Sequence, residues 1–214
     1  GRQWVMRTWN KTATGYAPSV RDLIIKETKM IMELRHPMIP MIDDIVENDQ
    51  YICVVREYIP GDTLGEIVRH YGAQPQLPVM SWAMQICSVL KYLHSQNPPR
   101  IYRDMKPGNL VLRPDGSLML KEFNTMRIYN PAKKGDTYCL GTRGYAAPEQ
   151  YGGMGQTDAR TDIYGLGMTM YHLLTGRDPE VLDEDPKPIR QYEPALSAGL
   201  EKIVSKCVEQ DPKK

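Results

Sequence analysis

Residues 102–109 read Tyr102-Arg103-Asp104-Met105-Lys106-Pro107-Gly108-Asn109. The stretch combines a carboxylate, an ammonium two residues on and a carboxamide five residues on. Three such groups can converge on one phosphoryl group. The carboxylate accepts a hydroxyl proton, the ammonium neutralises charge on the transferred group, and the amide carbonyl ligates a metal. Pro-Gly-Asn also suits an ordinary surface turn, so the stretch must be read with its surroundings.

Working outward, Glu122-Phe123-Asn124 follows 13 residues after Asn109 and contains the single Phe of the chain. Further on come Gly141-Thr142-Arg143-Gly144-Tyr145-Ala146-Ala147-Pro148-Glu149 and then Thr161-Asp162-Ile163-Tyr164-Gly165-Leu166-Gly167. In this order the four stretches match H-R-D-x-x-x-x-N (with Tyr102 for His), D-F-G, A-P-E and the start of the helix beyond them. The chain resembles the protein kinase superfamily, most closely the bacterial, eukaryotic-like serine/threonine protein kinases, from about Trp4 to its end. A small-molecule phosphotransferase of related fold fits less well, because it lacks a peptide-binding segment like Gly141–Glu149.

The resemblance implies an α+β, bilobal protein kinase-like fold. Residues 1–60 would form a small β-rich lobe lacking the Gly-rich loop, and residues 61–214 a large helical lobe cut short at its C-terminal end. ATP and Mg²⁺ are the implied cofactors, and a protein substrate or signalling partner the implied ligand. By position, Asp104 would be the catalytic base, Lys106 would touch the γ-phosphate, and Asn109 and Glu122 would hold the metal. Val5, Arg7, Glu27, Glu57, Ile59 and Val111 would surround the nucleotide. Thr142 would lie in the peptide-binding loop near Asp104, and Asp162 would brace the catalytic loop. Arg103 would receive a phosphorylated activation-segment residue, for which Thr137 is the candidate.

The departures bear on activity. No G-x-G-x-x-G precedes Trp4, whether because the loop is missing or because it lies outside this stretch. Arg7 stands for the lysine of V-A-I-K, and its planar fork does not replace a compact ammonium. Glu122 stands for the metal-binding Asp, moving the carboxylate by roughly 1 Å, a displacement that can cost about 10²-fold in rate. Asn124 replaces Gly, the mildest change, since Asn tolerates left-handed backbone. Arg56 falls at the back of the implied adenine pocket, where a buried guanidinium would need a carboxylate. The expectation is that Arg56 or Arg7 engages Glu27 or Glu122; the other reading of Arg56 is an exposed strand arginine. Glu27 lies on the apolar stripe of its helix and needs a partner, for which Arg7 is the family-implied choice. Two functions stay open: a degenerate kinase acting in signalling, or an active serine/threonine kinase with Asp104 as base and Glu122 as metal ligand.

The rest of the composition agrees with a globular domain. The chain has 214 residues, 41% apolar and 25% charged. Its 27 basic and 26 acidic residues leave a net charge of +1, which argues against a general electrostatic nucleic-acid binder. No apolar run is long enough to span a bilayer and no signal peptide opens the chain, so a cytoplasmic location is expected, with an anchor outside this stretch left open. Cys53, Cys87, Cys139 and Cys207 form no CxxC pair and read as reduced, mostly buried thiols.

Alternation predicts a strand over Trp4–Trp9, with Val5, Arg7 and Trp9 on one face. Ser19 is the expected N-cap of a helix through about Arg35 with the stripe Val20, Leu23, Ile24, Ile31, Leu34. Strands are expected over Met41–Val46, Tyr51–Tyr58, Leu110–Leu112 and Leu118–Leu120. Val79, Ala83, Ile86, Leu90 and Leu93 recur at helical spacing. Thr161–Thr175 reads as a buried helix ended by Gly176, Gly135–Gly155 as irregular, and Leu200–Glu209 as a last helix. Met80, Met84, Met168 and Met170 read as core filler.

Overall fold

A computed structural model describes residues 3–13, 17–130, 132, 141–151, 156–182 and 186–212. The first strand, β1 (Trp4–Asn10), precedes helix α1 (Pro18–Met32), and β2 (Ile42–Glu47) and β3 (Tyr51–Glu57) follow it. They form an antiparallel sheet in the order β1-β3-β2, with Arg7 opposite Val54 and Val5 opposite Arg56. Side chains alternate across the sheet, and α1 covers one face. Ile24 packs there on Ile52 and Val54, flanked by Trp9, Val20, Ile42 and Ile45.

Three details of α1 differ from expectation. Its N-cap is Ala17, with no side-chain cap, so Ser19 lies inside the helix. It ends at Met32, because the Arg35 guanidinium takes up the carbonyls of Met32 and Leu34 that further turns would have used. Leu23 is exposed: it sits about 100° round the helix from Ile24, at the edge of the buried stripe.

The second lobe is mainly helical. Helix α2 (Leu64–Tyr71) follows the two-residue strand β4 (Asp62–Thr63), and the long α3 (Gln76–His94) comes next. Val79, Ala83, Ile86, Leu90 and Leu93 are buried along α3 as the periodicity predicts. Met80 and Met84, expected in the core, are instead exposed on the other face of α3, while Met168 and Met170 are buried. Strands β5 (Arg100–Ile101) and β8 (Arg127–Ile128) form one small sheet, and β4, β6 (Leu110–Leu112) and β7 (Leu118–Leu120) another. These ribbons carry the loops that matter below.

Helix α4 (Ala159–Thr175) is buried without interruption from Gly165 to Thr175 and ends at Gly176 in the left-handed region, with φ 68°. The short α5 (Ile189–Tyr192) and α6 (Ala198–Cys207) pack against it. One large core joins α2, α3, α4 and α6 with Leu34, Met38 and Ile39, the residues that leave α1. The Leu120 amide donates to the Met38 carbonyl at 2.8 Å, a backbone link from the large lobe to the segment between α1 and β2. Cys53, Cys87 and Cys207 are free thiols, but the expectation of mostly buried thiols fails: Cys53 and Cys207 are only partly buried and Cys87 is exposed. Cys139 lies outside the described residues. No helix among the described residues is long and apolar enough to cross a membrane.

Candidate active site

The loop 102–109 is held from beneath by α4. Asp162, only 1% exposed, accepts the backbone N–H of Tyr102 at 2.9 Å and of Arg103 at 2.7 Å. His94 Nε2, from the end of α3, lies 2.7 Å from the same carboxylate. Gly165 allows the close approach, since a Cβ there would stand 3.1 Å from Met105 Cβ. Thr169 completes the support by donating to the Met105 carbonyl at 3.2 Å. Two backbone N–H groups aimed at one buried carboxylate leave the loop little freedom. Arg103 takes a positive φ of 69° within it, a conformation that surrounding bonds must enforce in a non-glycine residue.

On this base the side chains of the catalytic-loop motif converge. Asn109 Nδ2 donates to the Asp104 carbonyl and to Asp104 Oδ2, both at 2.8 Å. The Thr142 hydroxyl donates to Asp104 Oδ1 at 2.7 Å and accepts from Lys106 Nζ at 2.7 Å. Lys106 Nζ is 3.8 Å from Asp104 Oδ2. Asp104, Lys106, Asn109 and Thr142 therefore form one hydrogen-bonded cluster. The A-P-E segment is tied in as well: Glu149 accepts from the Thr161 hydroxyl at 2.6 Å, and Gln150 Nε2 donates to the Arg103 carbonyl at 2.9 Å.

The small lobe meets this cluster at Lys121–Glu122. Arg7 Nη1 reaches Glu122 Oε2 at 3.1 Å, with its guanidinium 4.9 Å from the centre of the Trp9 ring. Arg56 Nη1 donates to the Lys121 carbonyl at 3.0 Å. The expectation for Arg7 toward Glu122 thus holds, whereas Arg56 engages a backbone carbonyl and no acid, and Glu27 has no ion pair with Arg7. Glu27 lines the same cavity as Arg7 without a hydrogen bond or ion pair to it, the guanidinium being engaged with Glu122. It is half-buried, and loss of water raises its carboxyl above the usual range, with Arg7 opposing the rise.

Arg7, Glu27, Arg56, Glu122 and Phe123 line one cavity of about 250 Å³ between α1, the sheet and the loop after β7. Val5, Glu57, Ile59 and Val111 do not line it. Val5 is half-buried opposite Arg56, and Glu57 is tied through its N–H and carboxylate to Met41. Ile59 is half-buried beyond β3, and Val111 is buried in β6 between Thr63 and Met119. Of the regulatory candidates, Arg103 donates through Nε to the Thr125 carbonyl at 2.6 Å. Burial, then the neighbouring Arg127, lower its guanidinium to about 10. Thr137 lies outside the described residues.

Sequence reading missed His94 as a partner of Asp162, the pairing of Arg100 with Glu33 at 2.8 Å, and the Tyr145 hydroxyl that donates to Asp178 at 3.0 Å. These partners are 33 to 68 residues apart, and no local pattern announces them. Helix α2 did carry a signal. Thr63 and Glu66 form a reciprocal capping box, and T-x-x-E is legible as such.

By the motif order Asn109 and Glu122 are the residues that would hold Mg²⁺, with phosphate and water completing its shell; Glu122 is here ion-paired with the partly exposed Arg7.

The profile of the protein kinase domain family matches residues 2–214. Serine/threonine-protein kinase C of Synechocystis is 31% identical, over 91% of this chain and 38% of its own length. PknB of Mycobacterium leprae is 29% identical over 87% of this chain and 32% of its own length. PrkC of Bacillus subtilis is 28% identical over 87% and 30%. The chain spans about a third of the length of these curated relatives. With its fold and motif order, the chain belongs to the protein kinase domain family, on the side of the bacterial, eukaryotic-like serine/threonine kinases.

Proposed function

We propose that this chain is a degenerate serine/threonine kinase domain, with a small lobe over residues 1–60 and a large lobe over 61–214. In this reading it acts in signalling by binding a protein partner, and its phosphoryl transfer is weak or absent. The observation that carries this is the ion pair between Arg7 and Glu122 at 3.1 Å. It sets against each other the two groups on which phosphate and metal binding depend, so that phosphate at Arg7 or a cation at Glu122 must compete with this partly exposed pair. Electrostatic contacts of this kind carry several kcal/mol of transition-state stabilisation in phosphoryl transfer.

A second reading is favoured by the cluster around Asp104. Its carboxylate is oriented by Asn109 and Thr142, a geometry suited to accepting a hydroxyl proton from a protein Ser or Thr. Lys106 stands beside it to balance charge on the transferred group. On that reading the chain is an active, impaired serine/threonine kinase, and Arg103 and Thr137 form a phosphorylation-dependent regulatory pair.

Thermal shift and calorimetry with Mg²⁺ and ATP separate the two. The degenerate reading expects no saturable binding at millimolar nucleotide by the wild type. It expects measurable binding once Arg7→Lys and Glu122→Asp are combined. Tight binding by the wild type would favour the second reading.

A further inference from the structure

Two arginines from adjacent small-lobe strands converge on one large-lobe dipeptide. Arg7 comes from β1 and Arg56 from β3, and those strands are paired, with Val5 facing Arg56. Arg7 takes the Glu122 carboxylate and Arg56 the Lys121 carbonyl next to it. The dipeptide is also fixed from its own lobe, since the Lys121 amide donates to the Asn109 carbonyl at 2.9 Å. One residue earlier, Leu120 donates to the Met38 carbonyl. Trp9 stacks under the Arg7 guanidinium, which orders a side chain that would otherwise sample many rotamers. Among the described residues the helix acid Glu27 has no ion pair; the end of α1 is joined to the large lobe separately, by Arg100 to Glu33.

From this convergence we propose that Arg7 and Arg56 form a clamp that holds the lobes together at Lys121–Glu122 without metal or nucleotide, and that a divalent cation can take Glu122 only by displacing Arg7. The proposal rests on the degenerate reading in that it assigns the two arginines a joining role instead of a phosphate-binding one. The clamp makes the closed arrangement the ground state of the free domain. A protein partner then meets a surface spanning both lobes that needs no ligand to be assembled.

Hydrogen exchange on the free domain, with no nucleotide present, tests this. The Leu120 and Lys121 amides report the joint, and the buried α3 amides from Val79 to Leu93 serve as the reference. Arg7→Met and Arg56→Met should each speed exchange at Leu120 and Lys121 by roughly threefold, and the double variant by roughly tenfold, as expected for losing partly exposed charged contacts. The α3 amides should not change. Glu122→Gln removes the same ion pair with little change of volume and should match Arg7→Met, which keeps the test in force if that variant fails to fold. Millimolar Mg²⁺ should leave the wild type unchanged and slow exchange at Lys121 in Arg7→Met. Unchanged joint amides in all variants, equal acceleration in the joint and α3, or an equal Mg²⁺ effect on wild type and Arg7→Met would each overturn the clamp. Robust phosphoryl transfer by the wild type would sink the degenerate reading alone, because the clamp is measured without nucleotide.

Discussion

Replacing Asp162 with alanine should destabilise the domain by about 4 kcal/mol. The figure comes from counting what the buried carboxylate satisfies. It accepts two backbone N–H groups, from Tyr102 and Arg103, and faces His94. Alanine reaches neither N–H, and the site lies under a fully buried Tyr102, so water has no ready route in. Each orphaned buried donor costs about 1–3 kcal/mol, and the strained φ of Arg103 has one support fewer. For a domain of this size the loss corresponds to roughly 8–16 °C in the melting temperature. Asp162→Asn keeps the volume and one acceptor oxygen and should lose about half as much. Urea unfolding of the three proteins followed by circular dichroism reads the difference. A loss below about 1 kcal/mol for Asp162→Ala would refute the argument that these two bonds hold the catalytic loop.

Three further outcomes follow from other parts of the molecule. Gly144→Ala should unfold the domain at markedly lower temperature, because a Cβ there would sit 2.3 Å from the Pro179 carbonyl at a φ of +80°; an unchanged melting curve would contradict the packing of 141–147 on the segment after α4. Thr63→Ala removes the side-chain half of the α2 capping box and should cost about 1 kcal/mol, read by thermal unfolding. Glu27 has a folded-state pKa raised by burial, so it binds a proton more readily folded than unfolded. Its contribution to stability is greatest below the ordinary glutamate range and is lost as pH rises through the raised value. Glu27→Gln should therefore flatten the fall in stability as pH rises above the ordinary glutamate range, and an identical pH profile would show that the carboxyl is solvated.

The large lobe was the more legible part of the sequence. Helices α3 and α4 have unbroken apolar periods, β6 and β7 bracket an obvious turn, and all four elements came out where the pattern put them. The cluster around Asp104 was legible because Asp104, Lys106 and Asn109 lie within one octapeptide, whose local geometry brings them together. The interlobe contacts were harder. The partner of Arg7 depends on the distance between a strand and a loop 115 residues away, and the family pattern pointed first to Glu27, with Glu122 as the other acid. Arg56 went to a carbonyl because a backbone acceptor within reach satisfies a guanidinium as a carboxylate does, and backbone acceptors leave no mark in a sequence. Ser19 misled for a similar reason. A good capping residue does not fix the start of a helix when Pro18 is itself suited to the first turn.

Transfer of the γ-phosphate from labelled ATP to the domain itself and to a generic basic protein, in the presence of Mg²⁺, tests the central claim most directly. The wild type should show transfer at or near background, and the combined Arg7→Lys and Glu122→Asp variant should show a clear gain, because Asp104, Lys106 and Asn109 already stand in one hydrogen-bonded cluster. Sustained transfer by the wild type, abolished by Asp104→Asn, would contradict the account.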